Sequence, residues 1–248
     1  MAFGLNMLNK IKTKQMKIKF QYIWLPALVI SLAACKKDNY SAPSSTLNGK
    51  IQYQGEAIQV EYNKVSFELY QYGFGRVGAI GSSFAQDGTY SALLFDGDYK
   101  LIIPNGQGPF KWPQTSAGKP DSVAISLKGN KTLDLDVIPY YMIRTPKFAA
   151  ASGKVTASFK IDKIVTDATA KDIEVITLYI NKTQFVSGDF NNARASIAGS
   201  AIVDPNNINL EVNIPAMVPG QNYIFARIGL KIAGVEDRIF SPVEKLTF

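Results

Sequence analysis

Gly108-Pro109-Phe110-Lys111-Trp112-Pro113 sets two aromatic rings in a stretch rich in Gly and Pro, and this is the chemistry the sequence offers most directly. A flat ring held at a loop surface can stack on the apolar face of a sugar while nearby amides and charges bond its hydroxyls. Tyr70, Tyr72 and Phe74 form a second aromatic cluster around Gly73-Phe74-Gly75-Arg76-Val77-Gly78. Phe110, Trp112, Tyr72 and Phe74 are therefore the candidate ligand-binding residues. The competing role for all four is packing at a sandwich end or a domain junction. Packing is also the expected role of Tyr140 and Tyr141.

Other chemistries are poorly provided for. The chain has no histidine, which removes Ser-His-Asp and Cys-His catalysis and the usual imidazole metal ligands. The glycine run matches GxGxxG, but a dinucleotide site needs a helix N-terminus behind the glycines, and Ala79-Ile80-Gly81-Ser82-Ser83-Phe84 reads as strand. Asp87, Asp96, Asp98, Asp134 and Asp136 are the acids that could pair for glycoside hydrolysis or hold calcium. Three of them sit at turns, where Asp bonds local backbone, and Asp134 and Asp136 alternate with Leu133, Leu135 and Val137 as solvent-facing strand residues do. No catalytic residue, metal ligand or cofactor is assigned.

The remaining reactive group is Cys35, the one cysteine of the chain. It follows Lys10, Lys12, Lys14, Lys17 and Lys19, then an apolar run over residues 22–34 that ends in Leu32-Ala33-Ala34. A basic region, a short apolar stretch and small residues before a cut define a signal peptide, and the run falls short of the roughly 20 residues of a membrane span. Leu-Ala-Ala-Cys resembles the bacterial lipobox, in which the thiol is lipidated and the chain is cut before it. The expectation is a signal peptide over residues 1–34, starting from Met1 or from Met16, and a lipid anchor on Cys35 that makes a membrane the first partner. The leader takes five of the 27 basic residues and none of the 20 acidic ones, leaving 22 against 20, a charge of +2. That balance leaves no basic footprint for nucleic acid.

The elements that must position these groups read almost entirely as strands. Residues 35–46, with Pro43 and several Ser and Thr, form a polar tether. Residues 47–142 contain about seven strand-like runs; in one, Val65, Phe67 and Leu69 alternate with polar Ser66 and Glu68. Asp87-Gly88, Asp96-Gly97-Asp98 and Gly129-Asn130 supply turns. Residues 143–248 contain about seven more strand candidates, including ARASIAGSAIV, with turn residues between them. Val218-Pro219-Gly220-Gln221-Asn222-Tyr223 looks like the approach to a late strand of fibronectin type III domains, which makes Tyr223 the candidate for a tyrosine corner, its hydroxyl tied back to upstream backbone. The fold class expected is all-β: two consecutive antiparallel β-sandwiches, the second fibronectin type III-like, with no disulfide possible.

Three stretches carry a family resemblance: residues 38–43 (DNYSAP), residues 86–101 (QDGTYSALLFDGDYKL) and residues 138–143 (IPYYMI). Together they resemble a Bacteroidetes lipoprotein family of unknown function, encoded beside a SusC-like outer-membrane transporter and a SusD-like glycan-binding lipoprotein. The resemblance implies a transthyretin-like or carboxypeptidase-regulatory-like first sandwich, an outer-membrane location and a part in polysaccharide capture or uptake. It brings no binding or catalytic residues with it. Lys36-Lys37-Asp38 is similar to the charged stretch that sends some lipoproteins of these bacteria to the cell surface. The function expected is thus a non-catalytic accessory glycan binder. The alternatives are a fimbrillin-like assembly subunit that polymerises by strand addition, and an enzyme acting on glycans.

Overall fold

Strands make up the regular structure of the described residues, 41–73 and 75–248 of a computed structural model, apart from one 3-10 turn at Gly199–Ala201. Cys35, the leader and Phe74 lie outside the described residues. Among the described residues no helix is long and apolar enough to cross a membrane.

The first half contributes β1 (Ser45–Tyr53), β2 (Glu56–Ala57), β3 (Ser66–Gln71), β4 (Ala79–Ser83), β5 (Thr89–Leu94), β6 (Gly97–Ile102), β7 (Phe110–Lys111), β8 (Val123–Leu127), β9 (Lys131–Thr132), β10 (Leu135–Asp136) and β11 (Ile138–Pro139). β1 is the centre of one sheet. It pairs antiparallel with β5, from Ser45↔Leu94 to Lys50↔Thr89, and closes on β2 through a tight turn. Gln54 and Gly55 both have positive φ there, the geometry of a type I′ hairpin. On its other side β1 runs parallel to β9 and β10, a departure from a purely antiparallel sandwich. The second sheet is antiparallel, in the order β4-β3-β6-β8. Alternation along the strands sends Leu47 and Ile51 of β1 into one core with Phe67, Leu69, Tyr99 and Leu101, all at most 2 % exposed. Each such side chain contributes about 1.5–3 kcal/mol through burial. Phe67, Phe84 and Tyr90 meet ring to ring with centroids 5.0–5.7 Å apart.

The second half contributes β12 (Tyr141–Ala151), β13 (Lys154–Lys163), β14 (Ile173–Asn181), β15 (Ala193–Ala198), β16 (Ile208–Asn213), β17 (Tyr223–Ile232), β18 (Arg238–Phe240) and β19 (Glu244–Thr247). One sheet has the order β12-β13-β16; the other has the order β15-β14-β17-β18, with β19 also on β17. β14 and β17 are buried on both faces, as their nearly unbroken apolar runs require. Ile176, Leu178, Ile224 and Ile228 face the sandwich core, while Tyr179 packs behind the sheet with Val186 and Phe240. The strand read over ARASIAGSAIV stops early. β15 ends at Ala198, and Gly199 begins the 3-10 turn because it lies against the backbone of Ile173, where a Cβ would fall 1.8 Å from the carbonyl oxygen.

The halves are joined by directed polar contacts. Phe240 N–H donates to the Gln59 carbonyl at 3.0 Å, Gly108 N–H to the Asp237 carboxylate at 2.7 Å, and Arg227 Nη2 to the Gln86 carbonyl at 2.6 Å.

Candidate functional site

The short pairing of β7 with β11, Lys111↔Ile138 and Phe110↔Pro139, sets the Gly108–Pro113 stretch beside the junction. It also turns the rings away from the surface positions expected of them. Phe110 is 5 % exposed and packs under Gly108, where a Cβ would come within 2.3 Å of its ring. Trp112 is 8 % exposed, and its indole N–H donates to the Asp121 carbonyl at 2.8 Å. The loop that follows closes on itself through Asp121 N–H to the Pro113 carbonyl and Thr115 N–H to the Lys119 carbonyl, both 2.8 Å. Neither ring is an open stacking platform. Phe110 is core, and Trp112 is a wall.

What Trp112 walls is a groove of about 650 Å³. Parallel pairing of β1 with β10, Gln52↔Asp136, and Val137 N–H donating to the Gln52 carbonyl at 2.9 Å bring the end of β1 alongside residues 136–138. Tyr53, Pro113, Val137 and Ile138 complete the apolar lining, and Gln54, Lys111, Gln114 and Asp136 stand at its polar margin. The margin is held in place by local bonds. Gln114 Nε2 donates to the Trp112 carbonyl at 3.1 Å, Gln54 Nε2 to the Tyr53 hydroxyl at 3.2 Å, and Gln52 Nε2 to Asp136 at 3.1 Å. Lys111 Nζ reaches Thr169 Oγ1 at 3.0 Å and Asp167 at 3.4 Å, so its charge is spent on the second sandwich. The groove can therefore hold a ligand with an apolar face and neutral hydrogen-bonding groups. It presents one carboxylate, Asp136, where glycoside hydrolysis uses two.

Tyr72 lies elsewhere. It is 51 % exposed, with Lys100 Nζ 5.3 Å from its ring centroid. Gly73 and Gly75 adopt positive φ and β4 follows them, so the GxGxxG stretch opens a strand rather than a helix. Gln71 Nε2 donates to the Asp96 carbonyl at 3.5 Å, and the Asp96 carboxylate accepts from the Ser45 hydroxyl, which places the Tyr72 loop at the Ser45 end of β1. The Trp112 groove is at the Tyr53 end. The two aromatic groups are not brought together.

Four of the five acids have structural work, Asp136 through Gln52 as above; the exception, Asp98, is exposed on β6. Asp87 accepts from Thr89 N–H and Oγ1, Asp134 from Lys50 N–H at 3.1 Å, and Asp96 from Ser45 and from Gly129 N–H at 2.9 Å. The Ser45 hydroxyl, then the Gly129 N–H, holds the Asp96 carboxyl below its ordinary range. Among the described residues no group of three or more Cys, Asp or Glu is arranged to hold a metal ion. Tyr223 does not form the expected corner. Its hydroxyl makes no hydrogen bond among the described residues; instead its ring carries Lys245 Nζ 4.1 Å from the centroid and meets Phe225 edge to face. A larger open depression of about 800 Å³ lies on the second sandwich near Tyr141 and Ile202, but its charges pair with one another, Lys163 with Asp172 at 3.8 Å and Asp162 with Arg144 at 2.9 Å.

Tyr53, Gln54, Gln114, Val137 and Ile138 were not among the sequence candidates, and neither was Arg227. The groove residues are distant in sequence, and only the parallel pairing joins them. Arg227 had a signal: a charge at the centre of the apolar stretch Tyr223–Ile232, whose other charge, Lys231, stands near its end.

Two family models match consecutively. That described as "Protein of unknown function (DUF3823) N-terminal domain" covers residues 45–138, and "Domain of unknown function (DUF3823_C)" covers residues 141–245. A DUF3823 family structure from Parabacteroides merdae is similar at 34% identity and TM-score 0.72, covering 84% of this chain and 100% of its own. Another from Bacteroides ovatus matches at 30% identity and TM-score 0.73, covering 82% and 99%. A Bacteroides uniformis protein described as a "putative carbohydrate binding protein" shares the fold at 18% identity and TM-score 0.63, covering 83% and 100%. No curated protein matches the chain.

Proposed function

The chain belongs to the DUF3823 family of unknown function, and within that family we propose for it the role of a non-catalytic, lipid-anchored glycan-binding protein whose binding site is the Trp112 groove. The observation that carries this reading is the groove itself: apolar walls from Trp112, Pro113, Tyr53 and Ile138 beside the side-chain amides of Gln54 and Gln114. Such a surface stacks on the C–H face of a pyranose and bonds its hydroxyls without adding charge. The description of the Bacteroides uniformis relative is in keeping with it. Cys35, behind its basic and apolar leader, supplies the anchor to the outer membrane, facing the cell surface. A tether there keeps the groove close to a SusC-like transporter and its SusD-like partner and raises the local concentration of captured glycan without demanding tight affinity.

Affinity electrophoresis of the mature chain through gels cast with a panel of polysaccharides tests the reading. Retardation in at least one gel, weakened by Gln114→Ala, is expected. Free migration in every gel removes it, and new reducing ends in the same incubations would establish catalysis instead.

A further inference from the structure

The end of the first sandwich opposite the groove gathers features that the groove does not use. The chain enters β1 at Ser45, which pairs with Leu94. Thr46 N–H donates to Asn130 Oδ1 at 3.1 Å, and Leu47 pairs with Lys131. The same bonds through Asp96 that fix Ser45 bring in the loop after β3. At this end Tyr72 is 51 %, Val77 42 % and Leu93 63 % exposed. Arg76 lies between Tyr72 and Val77 in the loop, Lys128 follows Leu127, which pairs with Gly97, and Lys131 pairs with Leu47; all three are exposed. Two acids share this end: the Asp96 carboxylate is occupied by Ser45 and Gly129, and Asp98 is exposed beside Tyr72, so Arg76, Lys100, Lys128 and Lys131 outnumber them. A protein end with aliphatic side chains, a tyrosine and a basic rim matches the composition that settles at a membrane–water interface. There rings and methyls enter the headgroup layer and lysines meet anionic lipid.

Cys35 lies ten residues before Ser45, so an extended tether reaches at most about 35 Å. The anchored lipid and this apolar, basic end are thus within one tether length of each other. β1 then runs roughly 26 Å to Tyr53, placing the groove at the other end of the strand.

We infer that the Ser45 end of the first sandwich is a membrane-docking face, with Tyr72, Val77 and Leu93 seated in the headgroup layer of an anionic bilayer and the Trp112 groove turned away from it. The inference rests on the lipid-anchor part of the proposed function and assigns the glycine loop a use that ligand binding at the groove leaves open.

The test uses the lipidated chain in vesicles of phosphatidylethanolamine and phosphatidylglycerol, with lipid on Cys35 established by mass. Because lipidation consumes the one native thiol, Val77→Cys, Leu93→Cys and Val203→Cys each offer a single site for an environment-sensitive dye. Val203, on the second sandwich, is 98 % exposed and serves as the control. Bromolipids are expected to quench the dye at positions 77 and 93 at least about twofold more than at 203, with blue-shifted emission. Equal quenching at all three sites on a lipidated chain overturns the docking face and leaves the anchor standing. A mature chain without lipid on Cys35 overturns the anchor and the docking face with it.

Discussion

Arg227 Nη2 donates to the main-chain carbonyl of Gln86 at 2.6 Å, so a fully buried guanidinium of the second sandwich is bonded to the first. The same group donates from Nε to the Ser241 carbonyl at 2.8 Å and from Nη1 to Val186 at 3.4 Å, and it lies 4.3 Å from the Phe240 ring centroid. Burial pushes its pKa down to about 9, with Glu61 and then Asp87 opposing that shift, so it stays charged at neutral pH. Replacing a buried charge by an apolar side chain of similar size is often harmless. Here the Ser241 and Val186 carbonyls would lose the donor that serves them in the interior, while the Gln86 carbonyl would keep the Val60 N–H at 3.2 Å. Arg227→Met should therefore cost about 3–5 kcal/mol in urea unfolding. Arg227→Lys should recover less than half of that, because one ammonium cannot reach three divergent acceptors. A Met variant as stable as the parent would show that the guanidinium is not a clamp.

Gly49 marks where the first sandwich tolerates no side chain. Leu133 bends between β9 and β10, its N–H donating to the Asn48 carbonyl at 2.7 Å and its carbonyl accepting from Tyr90 Oη at 2.7 Å. A Cβ on Gly49 would fall 1.9 Å from that carbonyl oxygen, and backbone on both sides prevents retreat. Gly49→Ala should lower stability by about 1–3 kcal/mol, read as a fall in melting temperature. Tyr90→Phe should cost about 1 kcal/mol by removing the hydroxyl that holds the bend. An unchanged Gly49→Ala melting temperature would refute this account of the β1 crossing.

The contrast between these sites and the rest explains what the sequence could disclose. Alternation over Val65, Phe67 and Leu69 announces a half-buried strand because one face meets core and the other water. The all-β, two-domain architecture was legible for that reason. The parallel pairing of β1 with β10 was not, since register between distant segments leaves no local pattern. Gly and Pro around Phe110 and Trp112 announced a loop. They could not announce that two residues of it pair with Ile138 and Pro139 and draw both rings inward. Tyr223 had the spacing of a corner, but its ring found Lys245 and Phe225 instead.

Asp237 gives the junction a pH dependence. Its carboxylate accepts from Gly108 N–H, yet burial raises its pKa above the ordinary 3.8. The Gly108 bond opposes the rise, Glu236 and Glu61 add to it, and Lys231 opposes it. A group whose folded pKa is raised binds its proton more tightly when folded. Stability is then greatest below the unfolded pKa and falls as pH climbs through the folded value. Asp237→Asn keeps an oxygen for Gly108 and removes the buried charge. It should melt above the parent at pH 7, with the gap closing toward pH 4. A gap that widens on acidification would reverse the sign assigned to Asp237.

Trp112 offers a direct view of the groove. The chain has two tryptophans, and Trp24 belongs to the leader expected to be removed, so emission from the mature protein would come from Trp112. A glycan seated against Pro113 and Ile138 should shift that emission to the blue as it displaces water from the exposed edge of the indole. Ile138 is 48 % exposed, so Ile138→Asp can be made without opening the core, and it should weaken binding about tenfold by placing a charge on the apolar wall. Trp112→Phe keeps a ring but loses the bond to Asp121, which should cost roughly 1 kcal/mol of stability and move the 113–121 loop. If a retained glycan leaves Trp112 emission unchanged, and Ile138→Asp binds it as well as the parent, then the sugar sits elsewhere on the molecule. The groove would then be an apolar surface for some other partner.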